Sequence, residues 1–388
     1  MTSTAKALEV VVAPDSFKGT ATAAEAASSF ASGWRSARPH DSLVLAPMAD
    51  GGEGTIDTLA AAVPRGRMHA VTVDGPVDGP VDPAPGRPLE ARWLELPGDT
   101  HEGGGGAGSI AVVELAESSG ITLLPELAPL DAHTRGFGQV IRAALDSGAH
   151  RVLLAIGGSA STDGGAGMLS ALGARLTRDD GLPIAPGGRG LADLASVDIR
   201  DLVPPPAGGA AILGDVTNPL LGVHGAAAVF GPQKGADARD IAHLDAGLAR
   251  LAGHLGFADP STPGAGAAGG TGFGLIAWGA TMTPGARAVA DAIGLAGAIR
   301  SADVVVTGEG RFDGQSADGK VPSVVAELAR AEGARILLVA GSIDADASGF
   351  DGAVSLAELA GSGPAAMDHT LEWIRAAGRT LALRSALA

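Results

Sequence analysis

The stretch Leu8–Arg35, LEVVVAPDSFKGTATAAEAASSFASGWR, decides the fold. Its apolar run Leu8–Ala13 predicts a buried strand, and Ala21–Arg35 predicts a helix with Ala, Phe and Trp on one face. Between the two lies a short loop that contains Pro14 and Gly19. A strand, a loop and a helix in this order form the repeating unit of parallel α/β sheets.

The same alternation continues along the chain. Further strands are predicted at Leu43–Ala46, Ser109–Glu114, Arg151–Ile156, Ala211–Leu213, Asp303–Thr307 and Arg335–Ala340, and further helices at Gly54–Val63, Arg135–Ser147, Arg239–Gly256, Pro322–Glu332 and Met367–Leu387. We therefore predict an α/β fold of two domains. Residues 1–80 and 296–388 form a mostly parallel, Rossmann- or flavodoxin-like domain. Residues 81–295 form an inserted mixed α/β domain, and an active-site cleft is expected between the two.

Composition narrows the class of protein. The 388 residues carry a net charge of −16, which disfavours nucleic acid and anionic membranes as partners. Cysteine is absent, which excludes disulfides, thiolate zinc sites and a cysteine nucleophile. The N-terminal apolar run is too short for a signal sequence or a membrane span, so the cytoplasm is the expected location.

Lysine is rare in this arginine-rich chain, at positions 6, 18, 234 and 320. Lys18, Lys234 and Lys320 each neighbour a glycine. A compact, flexible ammonium can follow a moving phosphoryl group better than a planar guanidinium can. Chance adjacency is the alternative, because glycine is abundant, with 60 residues.

Two loops in the first part of the chain follow predicted strands. Ala13–Gly19, APDSFKG, places Ser16 and Lys18 before a helix, where anions bind well. The alternative is that Ser16 or Thr20 caps that helix and Lys18 is a solvated side chain. Pro47–Thr55, PMADGGEGT, carries Asp50 and Glu53, which could hold Mg²⁺ or bind substrate hydroxyls. An acidic cap at the start of a helix is the alternative for Glu53.

Small residues dominate the loops in the middle of the chain. The stretch 155–167, AIGGSASTDGGAG, follows a buried strand and could wrap an anion, with Asp163 as its ionisable group. It matches neither the Rossmann fingerprint nor the G-x-S-x-G elbow. The stretches Asp215–Pro219 and Gly231–Gly235 end a strand and precede a helix, and either could be only a turn.

The stretch 307–322, TGEGRFDGQSADGKVP, is the strongest single motif. A strand leads into it, and Pro322 suits the first turn of a helix. It resembles a P-loop, but Val321 stands where the Mg²⁺-binding hydroxyl belongs, so we interpret it as an independent phosphate loop. Gly264–Gly269 matches G-x-G-x-x-G without a preceding strand and is interpreted as structural.

Taken together and in this order, these segments resemble the bacterial glycerate kinase family, of the glycerate 2-kinase-like type. The segments that carry the resemblance are APDSFKG (13–19), PMADGGEGT (47–55), GGSASTDGGAGM (157–168), DVTNPL (215–220), GPQKGA (231–236), GAGAAGG (264–270) and TGEGRFDGQSADGK (307–320). Departures are Thr162 where the family usually has Asn, Gly214 where it has Cys, and Arg135 where it has Tyr.

The resemblance implies ATP-dependent phosphorylation of D-glycerate with Mg²⁺, with 2-phosphoglycerate favoured over 3-phosphoglycerate. The candidate catalytic residues are Lys18, Asp50, Asp163, Asp215 and Lys234. The candidate nucleotide contacts are Gly157, Gly158, Ser159, Gly308, Glu309, Gly310, Asp313 and Lys320. The candidate glycerate contacts are Asp15, Ser16, Lys18, Glu53 and Asn218, and Asp50 and Glu53 are the candidate metal ligands.

In this hypothesis the three lysines bind the triphosphate, the transferred group and the glycerate carboxylate, in an order the sequence does not assign. One carboxylate among Asp50, Glu53, Asp163 and Asp215 accepts the hydroxyl proton. A kinase for another small hydroxy acid and a non-catalytic sugar-acid binding protein are the alternatives. A homodimer is left open.

Overall fold

The computed structural model describes residues 6–17, 19–78, 88–98, 108–314 and 319–385. The chain divides into two compact units. The first unit comprises Met1–Asp50, Asp57–Pro64 and Pro284–Ala388, and the second comprises Gly51–Ile56 and Arg65–Thr283. The first unit thus takes its residues from both ends of the chain. The run 103–106, predicted as a hairpin tip, lies outside the described residues.

The elements alternate along most of the described chain. The strands are β1 (Glu9–Pro14), β2 (Ser42–Leu45), β3 (Arg67–Val73), β4 (Leu89–Leu96), β5 (Ile110–Glu114), β6 (Arg151–Ala155), β7 (Arg175–Thr177), β8 (Ser196–Asp198), β9 (Ala210–Leu213), β10 (Thr281–Thr283), β11 (Val304–Phe312), β12 (Arg335–Ile343) and β13 (Gly352–Ser355). The helices are α1 (Ala23–Ala37), α2 (Thr55–Ala62), α3 (Ala116–Ser119), α4 (Arg135–Asp146), α5 (Ala166–Ala171), α6 (Gly187–Gly190), α7 (Ala226–Phe230), α8 (Ala238–His254), α9 (Thr271–Trp278), α10 (Gly285–Ala292), α11 (Leu295–Ile299), α12 (Val321–Ala331), α13 (Leu356–Ala360), α14 (Gly363–Asp368) and α15 (Thr370–Ser385).

The first unit is built on a fully parallel sheet of five strands. The strand order is β13-β12-β11-β1-β2, with every neighbouring pair parallel. Counted along the chain within this unit, that is the 2-1-3-4-5 order of flavodoxin-like folds. The predicted fold class is therefore confirmed for this unit.

One face of this sheet packs against α1 and α15. Val10, Val12, Val304 and Val306 lie in one buried cluster with Phe30, Trp34, Ile374 and Leu381. The two helices approach so closely that a Cβ at Gly33 would lie 1.9 Å from the Arg375 carbonyl oxygen. The small residues of α1 therefore allow a close contact between the two helices.

The second unit has a mixed sheet, in the order β10-β9-β6-β5-β4-β3. Strands β10, β9, β6 and β5 run parallel, whereas β4 and β3 are antiparallel to their neighbours. We expected this unit to span residues 81–295. Besides Gly51–Ile56 it comprises Arg65–Thr283, because β3 pairs with β4 and β10 pairs with β9.

The predicted terminal helix Met367–Leu387 is wrong as a single element. Residue His369 has φ −133° and ψ 40°, which is not helical, and it separates α14 from α15. The Thr370 hydroxyl at the start of α15 donates to the Ala366 and Met367 carbonyls, so a side chain supplies hydrogen bonds to the last turn of α14. Periodicity alone did not indicate this break.

Candidate active site

In the first unit, the loop after β1 lies beside β11 at the carboxyl edge of the sheet. The Asp15 N–H donates to the Gly308 carbonyl over 2.8 Å, and the Ser16 N–H donates to Asp15 Oδ1 over 2.6 Å. Strand β2, which follows β1 in the chain, pairs with one side of β1, whereas β11 pairs with its other side. Such a switch point is where open α/β sheets bind ligands.

The predicted strand Asp303–Thr307 is too short, because β11 continues to Phe312. Gly308 and Glu309 pair with Val339 and Ala340 of β12 instead of forming a loop. A Cβ at Gly308 would lie 2.2 Å from the Val339 carbonyl oxygen, so glycine is required by the neighbouring strand. The glycines of this motif predicted a loop. At Gly308 the glycine instead allows the close approach of β12, which no local sequence pattern indicates.

A cavity of about 380 Å³ opens at this edge of the sheet. The predicted site residues that line it are Asp15, Ser16, Asp50, Glu309, Gly310, Asp313 and Lys320. The sequence analysis did not single out the remaining side, which consists of Gly341, Ser342, Leu356, Ala357, Gly363, Ala366, Met367 and Thr370. Lys18, a predicted catalytic and substrate-binding residue, lies outside the described residues.

Charges of both signs surround this cavity. Lys320 occupies the N-cap position of α12, and Glu309 is buried in β11. The Arg311 guanidinium is engaged by two carboxylates, with Nε 2.8 Å from Asp344 Oδ2 and 3.6 Å from Asp313 Oδ2. An ammonium beside several carboxylates suits a phosphate ester that arrives with its own divalent cation.

The described residues contain no cluster of three or more His, Asp or Glu side chains that could hold a metal ion. Magnesium in kinases is usually held by one or two carboxylates together with substrate phosphates and water. The described carboxylates of the cavity would hold a cation only together with ligands from water or a bound molecule. They do not form a complete metal cage.

In the second unit, Glu114 organises the segment Gly51–Ile56. Glu114 ends β5 and is 3% exposed. Its carboxylate accepts hydrogen bonds from the Gly54 N–H at 2.8 Å and the Ile56 N–H at 3.1 Å. The sequence analysis missed this residue, because the groups it binds lie about 60 positions away in the chain.

The glycines of two predicted loops contact each other in this unit. A Cβ at Gly157 would lie 2.8 Å from the Gly52 Cα, and a Cβ at Gly158 would lie 3.7 Å from Glu53 Oε2. The segment that carries Glu53 therefore lies against the loop that follows β6. Glu53 itself is exposed.

Asp163, a predicted catalytic residue, is fully buried and holds its own loop together. Its carboxylate accepts hydrogen bonds from the Thr134 N–H at 2.9 Å and the Thr134 hydroxyl at 2.8 Å. It also accepts from the Gly165 and Gly167 N–H groups, each at 3.1 Å. Because four donors occupy its two oxygens, Asp163 fits a positioning role better than proton transfer.

Lys234, the second predicted lysine, is 2% exposed. Its ammonium donates to the Ser161 carbonyl oxygen and lies 2.8 Å from the place a Cβ at Gly269 would take. Burial lowers the pKa of Lys234 from its ordinary value of 10.5 to about 7, although the negative charge of Asp163 opposes this shift. Lys234 thus joins two of the glycine-rich loops from inside the second unit.

The remaining predicted residues of this unit are Asp215, Asn218 and Ser159. Asp215 is exposed just after β9. Asn218 Nδ2 donates to the His224 carbonyl over 2.9 Å, so this amide closes a turn. The hydroxyl of Ser159 is buried, lies 3.2 Å from Ser161 Oγ, and donates to the Ala268 carbonyl at 3.3 Å. Ser159 therefore fits a structural role in its loop.

The family model described as the glycerate kinase family matches residues 10–385. The chain belongs to the glycerate kinase family. Its relatives include a glycerate kinase from Halalkalibacterium halodurans, 40% identical over 389 residues, which cover 97% of this chain and 98% of the relative. A glycerate 2-kinase from Escherichia coli is 40% identical over 349 residues, covering 87% and 86% of the two chains.

The family is also represented by a solved structure. A crystal structure of a glycerate kinase 2 from Salmonella typhimurium LT2 superimposes with a TM-score of 0.82 at 38% identity, covering 98% of both chains. These matches show a kinase with the predicted α/β fold. Among the described residues, none of the helices combines the length and the apolar character that crossing a lipid bilayer requires.

Proposed function

We propose that this kinase transfers the γ-phosphoryl group of ATP to the 2-hydroxyl of D-glycerate, giving ADP and 2-phosphoglycerate, in the cytoplasm. The observation that carries the proposal is the cavity of the first unit, where Lys320 and four predicted carboxylates meet an apolar wall at a switch point of the sheet. The relative named glycerate 2-kinase supports the choice of hydroxyl.

The reaction forms one bond and breaks one bond at phosphorus. The substrate hydroxyl oxygen attacks the γ-phosphorus, the bond to the bridging oxygen breaks, and its electron pair leaves with ADP. Lys320 offers positive charge to the phosphates. When Mg²⁺ is bound with ATP, Asp50 and Asp313 would help to hold it, and it would neutralise charge on the phosphate oxygens. The assignment of Glu53 to the metal stays a prediction.

A carboxylate must accept the hydroxyl proton. We remove Asp163 from the candidates, because donors already occupy both of its oxygens. Asp50 lines the cavity, and Glu53 and Asp215 are exposed at strand-end loops, so these three remain. A positioned general base contributes about 10²–10⁴-fold to a rate.

The experiment is a coupled ADP-release assay with ATP and Mg²⁺ across D-glycerate, L-glycerate, glycolate, hydroxypyruvate and tartronate. NMR of the product distinguishes 2-phosphoglycerate from 3-phosphoglycerate. We expect turnover with D-glycerate and phosphorylation at the 2-position. Faster turnover of another hydroxy acid would reject the substrate, and 3-phosphoglycerate would reject the position.

The same assay tests the base. We expect one of Asp50→Asn, Glu53→Gln and Asp215→Asn to lower kcat about a hundredfold or more, with thermal stability preserved. Asp57→Asn is the matched control, because Asp57 is an exposed carboxylate that lies close to Asp50 and Glu53 in the sequence but does not line the cavity. Near-normal kcat in all three variants would show that the base lies elsewhere.

A further inference from the structure

The apolar wall of the first unit's cavity has no role in the chemistry proposed above. It consists of Leu356 and Ala357 at the start of α13, Ala366 and Met367 in α14, and Thr370 at the start of α15. Glycerate is a three-carbon acid that carries only oxygen functions, and phosphates are equally polar. Neither would bury against aliphatic side chains, so a different part of a ligand must match this surface.

Internal hydrogen bonds brace the wall. The Thr370 hydroxyl donates to the Ala366 carbonyl at 3.0 Å and the Met367 carbonyl at 3.1 Å. Trp373 Nε1 donates to the Ala365 carbonyl at 3.1 Å. These bonds occupy three carbonyl oxygens around the wall, which therefore presents mainly its apolar side chains to the cavity.

Met367 stands out within the wall. Leu356 and Ala366 are buried, whereas Met367, which also lines the cavity, is 63% exposed. Covering this exposed thioether with the apolar part of a ligand would remove apolar surface from water and so favour binding. Methionine sulfur makes favourable contacts with aromatic rings and adapts to their shape.

We propose that this wall binds the purine base of the nucleotide and that Met367 packs on the base. The inference rests on the proposed function, in which ATP is the phosphoryl donor. A cavity of about 380 Å³ falls in the range of small-molecule sites and is larger than a three-carbon acid requires. Its polar side, with Lys320, then faces the phosphates, and its apolar side faces the base.

The test separates the base from the phosphates by equilibrium binding. Dissociation constants for Mg·ATP and for Mg·tripolyphosphate, which lacks a base, are measured by calorimetry on the full chain. We expect Met367→Ala to weaken ATP about two- to tenfold, in keeping with a lost sulfur–aromatic contact, and to leave tripolyphosphate unchanged. Met68→Ala is the matched control, because Met68 is 39% exposed on β3 and does not line the cavity.

A second variant fills the wall instead of trimming it. Ala357→Phe should weaken ATP more strongly than Met367→Ala does and should again spare tripolyphosphate. Unchanged ATP affinity in both variants, or an equal loss for both ligands, would overturn the assignment. If the wild-type chain binds ATP but releases no ADP with any hydroxy acid, the proposed function fails while the binding site can still be judged.

Discussion

Removing the ammonium of Lys234 should change how stability depends on pH. In the folded chain, burial lowers the pKa of this group to about 7, against 10.5 in an exposed lysine. Between these two values the unfolded chain holds a proton that the folded chain has released. The contribution of Lys234 to the free energy of unfolding therefore rises with pH between about 7 and 10.5. Below about pH 7 the lysine is charged in both states, and its full destabilising contribution is present.

The magnitude follows from the same two values. A lowering from 10.5 to about 7 corresponds to about 5 kcal/mol at 1.36 kcal/mol per pH unit. In Lys234→Met this contribution disappears, so the stability of the variant relative to the wild type should fall by about 1.4 kcal/mol per pH unit from pH 7 towards pH 10. The slope is the diagnostic quantity, because the variant also loses the hydrogen bond to Ser161 and leaves Asp163 without its cation.

Two measurements check this expectation. Urea unfolding of wild type and Lys234→Met at several pH values gives the difference in unfolding free energy. NMR of lysine labelled with ¹³C at the ε position reports the pKa directly, and the chain has only four lysines to assign. A Lys234 signal that titrates near 10.5, or pH profiles of stability that run parallel, would refute the argument.

Three further predictions concern stability and can be measured by urea unfolding at neutral pH. Glu114→Ala removes the acceptor of two backbone N–H groups and should cost about 2–5 kcal/mol, whereas Glu114→Gln, which keeps one acceptor, should cost less. An unchanged midpoint for Glu114→Ala would contradict the bracing role. Gly308→Ala should be strongly destabilising, because its Cβ would lie 2.2 Å from the Val339 carbonyl oxygen, while Gly314→Ala, whose Cβ would meet no atom of the described residues within 4 Å, should be nearly neutral. Equal effects at the two glycines would show that the β11–β12 contact can relax. Gly253→Ala, in α8 with no atom within 4 Å, should stabilise by roughly 0.5–1 kcal/mol, and a loss of stability there would be unexpected.

Local patterns in the sequence predicted the class of the fold well. The apolar run of β1 and the alternating strands and helices indicated a parallel sheet, and the first unit has one. The prediction of α12 from Pro322 was close to its observed start at Val321. These signals are readable because strand and helix periodicity and proline geometry are properties of neighbouring residues.

Parts of the candidate site were predictable in the same way. Asp15, Asp50 and the pair Glu309 and Lys320 come from three segments of the chain and line one cavity. The carboxyl ends of neighbouring parallel strands lie at one edge of a sheet, so motifs that follow such strands are brought together. The apolar wall with Met367 escaped notice, since its residues form no recognisable motif.

Only the tertiary structure decided which distant segments of the chain contact one another. The sequence by itself determined that glycine-rich stretches with few lysines and several carboxylates follow the strands, and that they resemble one kinase family. It did not determine that Gly308 lies inside a strand. Nor did it determine that the Asp163 carboxylate accepts hydrogen bonds from its own surroundings, or that Glu114 accepts hydrogen bonds from the segment Gly51–Ile56. Each of these depends on a backbone group that lies 29 or more positions away along the chain. Hydrogen bonds and close packing over such separations leave no periodic trace, so folding alone brings the partners together.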